Sequence, residues 1–289
     1  MAERHGGPVV VGVDGSESGS DAVRWAASEA LGRGVGLRVV AVYTPLPRTR
    51  HTLGLESAYR EQVTAALQTA LDDAVRVATE AAPGIAVDRE LRTGYPAPVL
   101  VAESDAATLT VVGSRGLGGF SGMLVGSVAV TLAARGGSPV LVVRGDRRPD
   151  SGLPVLLGVD GSPAGEAAIG PAFEWAARRA VPLRAVHAWL DVTVAPAAAS
   201  LVDQEAWETE ERALLAERLA GHPGEYPEVE VQRVVVRDRP ARALIDGSAD
   251  AGLVVVGSRG RGGVAGLLLG SVGQAVLHHA HCPVLVVRS

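Results

Sequence analysis

Two short stretches of this 289-residue chain have the residue types and spacing to grip an anion. Gly113-Ser114-Arg115-Gly116 is followed, after nine residues, by Gly126-Ser127, and Gly257-Ser258-Arg259-Gly260 is followed, after nine, by Gly270-Ser271. Each comes after an apolar run (Leu109 to Val112; Leu253 to Val256) and leads into a helix-like apolar run (Val128 to Ala134; Val272 to Ala280). A strand entering a glycine-rich loop that opens a helix suits phosphate. Glycine lets the backbone come close, and the free N–H groups of a helix start point at the charge.

Composition narrows how such a site could work. The chain has no lysine, and all 27 of its Lys+Arg residues are arginine. That removes the lysine of a Walker-type phosphate loop and any Schiff-base lysine. Backbone N–H, hydroxyls and arginine would have to hold phosphate, with Arg115, Arg259 and Arg261 as candidate clamps and solvated loop arginines as the plain alternative. A net charge of −5 and 3% aromatics argue against a nucleic-acid surface. No apolar run is long enough to span a bilayer, and Met1 to His5 lacks the apolar core of a secretion signal, so no membrane partner and a cytoplasmic location are expected. The single cysteine, Cys282, excludes an internal disulfide framework and suits a reducing compartment. No G-x-S-x-G, H-E-x-x-H, G-x-G-x-x-G or C-x-x-C occurs. His278, His279, His281 and Cys282 have no counterparts in the first half, and a metal site is not expected there.

The elements that must position these loops are duplicated too. Pro8-Val9-Val10-Val11-Gly12-Val13-Asp14-Gly15-Ser16 returns as Pro154-Val155-Leu156-Leu157-Gly158-Val159-Asp160-Gly161-Ser162. Units of this length are domains in tandem rather than solenoid repeats. The polar, Gly/Pro-bearing stretch from Arg144 to Gly152 gives domains at 1–147 and 148–289. In the first half strands are expected at Val9 to Val13, Leu37 to Tyr43, Ile85 to Leu91, Leu109 to Val112 and Pro139 to Val143. Their counterparts are Val155 to Val159, Leu183 to Trp189, Val229 to Val236, Leu253 to Val256 and Pro283 to Val287. Between them lie helices: one after Ser16 ended by Gly32 and Gly34, an amphipathic one with Val63, Ala66, Leu67, Ala70, Leu71, Ala74, Val75 and Ala78, one from Pro96 to Ser104, and one between Leu201 and Ala220. Thr44 to Leu55 reads as a loop, and Trp25 and Trp175 as packing residues. The alternation predicts an α/β fold: two tandem open parallel sheets, Rossmann-like, each of about five strands with helices on both faces. Ligands of such sheets sit beyond the carboxyl ends of the strands, at the switch in strand order, where Asp14 and the Gly113 loop would meet if strands one and four are neighbours.

This pattern resembles the universal stress protein family, as a tandem two-domain member of adenine nucleotide alpha hydrolase-like fold. Its most specific element is the ATP-binding signature G-x2-G-x9-G-[ST], complete in both halves, supported by V-G-V-D-G-S, L-G-V-D-G-S and the closing Ser138 to Val143 and Cys282 to Val287. The resemblance implies one ATP per domain, together with Mg2+. It places Gly12, Val13 and Asp14, or Gly158, Val159 and Asp160, against adenine and ribose, and Val42 or Ala188 against the base. Gly113 and Gly116, or Gly257 and Gly260, pass the ribose and phosphates. Gly126, Ser127 and Val128, or Gly270, Ser271 and Val272, hold the phosphate tail. It also implies a regulatory, stress-response role through an unidentified protein partner, and pairing of the two domains as a pseudo-dimer through their last strands. Association of two chains into a homodimer stays open.

One position departs from the pattern. Thr93-Gly94-Tyr95-Pro96 of the first half becomes Arg237-Asp238-Arg239-Pro240, and a carboxylate there would repel phosphate or help to hold Mg2+. Three alternatives accompany the main reading: Asp14 and Asp160 as mere caps of the following helices, a slow ATPase or nucleotidyl or phosphoryl transferase on the same fold, and a scaffold module that binds no nucleotide.

Overall fold

The structure, a computed structural model, describes residues 6–47, 52, 54–117, 125–189, 204–260 and 269–288. It divides into two compact units, Met1–Arg144 and Gly145–Ser289.

In the first unit the elements run β1 (Val9–Val13), α1 (Glu17–Arg33), β2 (Leu37–Tyr43), α2 (Glu56–Ala81), β3 (Val87–Thr93), α3 (Pro96–Ser104), β4 (Leu109–Gly113), α4 (Ser127–Arg135) and β5 (Val140–Val143). All the strands are parallel, in the order β3-β2-β1-β4-β5. The chain steps outward from β1 to β3, then returns to β4 on the other side of β1. Right-handed crossovers put helices of opposite step direction on opposite faces, α1 and α2 on one and α3 and α4 on the other. The central strand has no polar face, and Val9, Val10 and Val11 are each at most 1% exposed. Edge strand β3 is only half-buried and carries its charges outward, where Arg89 pairs with Asp72 and Arg92 with Glu103.

The second unit repeats this as β6 (Val155–Gly158), α5 (Pro163–Arg179), β7 (Leu183–Ala188), α6 (Gln204–Arg218), the short α7 (His222–Glu225), β8 (Val231–Val236), α8 (Pro240–Gly247), β9 (Leu253–Gly257), α9 (Ser271–His279) and β10 (Val284–Val287). Its parallel order is β8-β7-β6-β9-β10. Trp25 and Trp175 are both buried, and the Arg178 and Arg179 guanidinium groups lie over the Trp175 ring.

Some sequence expectations shift. Gly32 lies inside α1, and Gly34 alone ends the helix, in the left-handed region (φ +66°) with its N–H on the Ala30 and Leu31 carbonyls. β3 begins at Val87 rather than Ile85, because the Ile85 N–H closes a turn onto the Ala82 carbonyl. β8 begins at Val231 rather than Val229 for the same reason, with Val229 bonded to Tyr226. Ala66, expected on the apolar stripe of α2, is exposed, and only Leu71, Ala74, Val77 and Ala78 of that helix are buried. Residues 48–51 and 53 of the expected loop from Thr44 to Leu55, and Leu201, lie outside the described residues.

Candidate functional site

In each unit the two strands that flank the switch in order end side by side. β1 pairs with β4 from Val9↔Leu109 to Gly12↔Val112, and β6 pairs with β9 from Val155↔Leu253 to Leu157↔Val255. The chain leaves the carboxyl ends of these strands in different directions, which opens a crevice. The first crevice has a volume of about 330 Å3 and the second about 340 Å3.

The sequence-predicted residues gather there. The first crevice is bordered by Gly12, Val13 and Asp14 from the end of β1, Val42 from β2, Gly113, Arg115 and Gly116 from the loop after β4, and Gly126, Ser127 and Val128 at the start of α4. The second is bordered by Gly158, Val159 and Asp160, by Ala188, by Gly257, Arg259 and Gly260, and by Gly270, Ser271 and Val272. Arg261 lies outside the described residues. Sequence reasoning missed the apolar roof: Pro96 and Leu100 of α3, and Pro240 and Leu244 of α8. A proline followed four residues later by leucine, on a helix and in both halves, was a readable signal.

Hydrogen bonds show how the wall of the first crevice is held. The Asp14 carboxylate takes the Ser16 N–H at 3.0 Å through Oδ1 and the Leu117 N–H at 2.8 Å through Oδ2. Ser16, not Asp14, caps α1, its hydroxyl accepting the Gly19 N–H at 3.1 Å. The second unit repeats the cap with Ser162, which accepts from the Gly165 N–H at 3.1 Å. The Ser162 hydroxyl also sits 2.7 Å from Asp160 Oδ1 and 3.0 Å from the Arg259 carbonyl, which ties Asp160 to its glycine loop.

The glycines divide into two kinds. A β-carbon at Gly113 would lie 2.6 Å from the Ser18 carbonyl oxygen, and one at Gly257 2.5 Å from the Ala164 carbonyl carbon, so these two let the sheet touch the first turn of the neighbouring helix. At Gly116 it would meet Asp14 Oδ2 at 2.4 Å, and at Gly260 Asp160 Oδ2 at 2.6 Å. Gly126 and Gly270 differ. Both have ordinary extended backbone (φ −73° and −67°), and the nearest atoms to a β-carbon are 3.6 Å and 3.4 Å away. Protein packing therefore does not demand glycine there, and the space it leaves belongs to the crevice.

Those same glycines are the N-caps of α4 and α9 and supply no side-chain acceptor. Their own N–H groups close the loop onto the Ser114 and Ser258 carbonyls at 2.7 and 2.8 Å. The N–H groups of Ser127, Val128 and Ala129, and of Ser271, Val272 and Gly273, have no acceptor among the described residues. An uncapped helix start with a serine hydroxyl, bordering an apolar slot, is equipped to take an anionic tail attached to a flat apolar group.

The model of the Universal stress protein family matches residues 7–144 and, a second time, residues 153–288. The chain belongs to the universal stress protein family. It is 44% identical over 299 residues to universal stress protein Rv2005c of Mycobacterium tuberculosis, covering 99% of this chain and 98% of that one. It is 41% identical over 292 residues to a universal stress protein of Mycolicibacterium smegmatis, covering 97% and 96%. The crystal structure of a universal stress protein from Archaeoglobus fulgidus shares the fold, with a TM-score of 0.69 at 20% identity over 99% of each chain.

The two universal stress protein units differ at the rim. Gly94 holds φ +150° and joins β2 through its N–H on the Tyr43 carbonyl. Asp238, its counterpart, takes the Arg239 N–H at 2.7 Å and faces Arg242 at 3.8 Å. Its carboxylate is engaged locally and does not border the second crevice.

Proposed function

We propose that each unit binds one adenine nucleotide, ATP with Mg2+, in the crevice between Asp14 and the Gly113–Ser127 loop or between Asp160 and the Gly257–Ser271 loop. The observation that carries this reading is the contrast between helix starts. α1 and α5 begin under serine caps, whereas α4 and α9 begin uncapped beside a crevice, after glycines that packing does not require. Triphosphate oxygens fit the three open N–H groups and the Ser127 or Ser271 hydroxyl. Adenine fits the apolar slot beside Val42 and Leu100, or Ala188 and Leu244.

The donor set suits Mg2+ held chiefly by the phosphates themselves, with the serine hydroxyl or water completing its shell. Among the described residues there is no group of three or more His, Cys, Asp or Glu placed to hold a metal alone. Asp14 already accepts two backbone N–H groups, which suits a positioning acceptor better than a proton-abstracting base. The role is thus binding, and the protein acts as a cytoplasmic regulator whose ATP occupancy is read by a protein partner. No helix among the described residues is long and apolar enough to cross a membrane.

The test is native mass spectrometry of the purified chain, followed by isothermal titration with MgATP. Two equivalents of adenine nucleotide per chain are expected. A chain that carries no nucleotide and gives no heat with ATP, ADP or AMP refutes the reading.

A further inference from the structure

The two crevices differ in what braces their inner wall. In the second unit His187, 3% exposed, places Nδ1 2.7 Å from the Val159 carbonyl oxygen and Nε2 2.8 Å from Glu211 Oε2 on α6. Both partners are acceptors. A neutral imidazole has one N–H and one lone pair, so it satisfies one of them and turns a lone pair on the other. The doubly protonated ring satisfies both. His187 and Val159 border the crevice, and Val159 precedes Asp160, so the pair ties the binding wall to α6.

The first unit lacks this tie. Contacts fix the correspondence: the Tyr43–Tyr59 ring pair matches Trp189–Trp207, and Ala70 beside Gly15 matches Arg218 beside Gly161. On that alignment His187 stands where the first unit has Ala41, and Glu211 where it has Val63.

Other charges on the elements around His187 are engaged elsewhere. Arg218 of α6 pairs with Glu166 of α5, and Glu208 with Arg212 along α6. Glu174 and Arg178 pair on α5, and Arg242 of α8 faces Asp238 and Asp246. Arg184 of β7 faces Gln232, Arg237 beyond β8 lies over Trp189, and Asp160 is held by Ser162. Arg233 of β8 and Glu210 and Glu217 of α6 are exposed. Glu211 is the carboxylate in contact with the ring.

We propose that His187 and Glu211 are positioning residues that make nucleotide binding in the second crevice, and not in the first, weaken as pH rises. With both ring nitrogens protonated both bonds form and the Val159–Asp160 segment is braced. With the neutral ring one bond is replaced by a lone pair facing an acceptor. The inference rests on the nucleotide reading above.

The experiment uses the full chain with one crevice blinded, by Gly126→Val or by Gly270→Val, and measures MgATP affinity from about pH 5.5 to about pH 8.5. Titration of the nucleotide is common to both crevices, so the difference between them is what is read. The second crevice should lose affinity more steeply than the first, by up to about tenfold per pH unit for one linked proton. Glu211→Gln should flatten the second profile to that of the first, because an amide can accept from an N–H or donate to a lone pair. The double variant His187→Ala with Glu211→Val should flatten it as well, with circular dichroism confirming the fold. Parallel profiles in the unmodified pair, or a steep second profile that survives Glu211→Gln, overturn the brace and leave nucleotide binding standing. Absence of ATP binding in both blinded chains at every pH overturns both proposals.

Discussion

The Asp14 carboxylate accepts the Leu117 backbone N–H at 2.8 Å, joining the end of β1 to the glycine loop that follows β4. Only a glycine at 116 leaves room for this, since a β-carbon there would lie 2.4 Å from the same oxygen. Asp14→Ala and Gly116→Ala should therefore act alike. Each should speed hydrogen exchange at the Leu117 amide and weaken ATP in the first crevice by at least about tenfold, the worth of one charge-assisted hydrogen bond. The first-crevice loss is read in the Gly270→Val background, and affinity in the second crevice, read in the Gly126→Val background, should be unchanged.

The two kinds of glycine should separate binding from folding. Gly126→Val with Gly270→Val should abolish ATP binding while helicity is retained, with a loss at each helix start of no more than about 1 kcal/mol. Gly113→Ala drives a β-carbon into the Ser18 backbone and should cost about 1–3 kcal/mol of stability by overpacking. Urea unfolding of both variants tests this. Comparable destabilisation by the two would contradict the packing analysis.

Ser16 and Ser162 make the same cap but have different second duties. Ser16→Ala should cost about 1 kcal/mol, the usual value of an N-cap. Ser162→Ala should cost more, because its hydroxyl also reaches Asp160 and the Arg259 carbonyl. It should also weaken ATP in the second crevice, which Ser16→Ala cannot do. Paired melting curves and titrations decide.

Nucleotide should stabilise each unit in proportion to its occupancy. At a free ATP concentration about a hundredfold above Kd, each occupied unit should gain about 2.7 kcal/mol. The gain should vanish at a unit whose Gly126 or Gly270 has become valine. Denaturant unfolding with and without ATP measures it.

Much of this arrangement was legible in the sequence, for physical reasons that differ by residue. β2 and α3 could be read because Gly36 precedes the one strand and Pro96 opens the helix. The neighbouring of β1 and β4 followed from fold type, since Asp14 and Gly113 each come directly after a buried apolar run. Asp14 as a mere cap of α1 stood only as an alternative, and it takes coordinates to see that the Ser16 oxygen meets the Gly19 N–H. The starts of β3 and β8 hid behind turn hydrogen bonds that leave no mark on hydropathy. His187 and Glu211 meet across two elements with no periodic link, so their pairing had no one-dimensional trace.

The parallel pairing of Val9 with Leu109, and of Val155 with Leu253, carries a kinetic consequence. Neither binding slot exists until a chain segment of about a hundred residues has looped back on itself, a slow, entropy-limited search. Ligand meets only the finished article, past the rate-limiting barrier. ATP should therefore lengthen the lifetime of a folded unit against denaturant while leaving its refolding rate where it was.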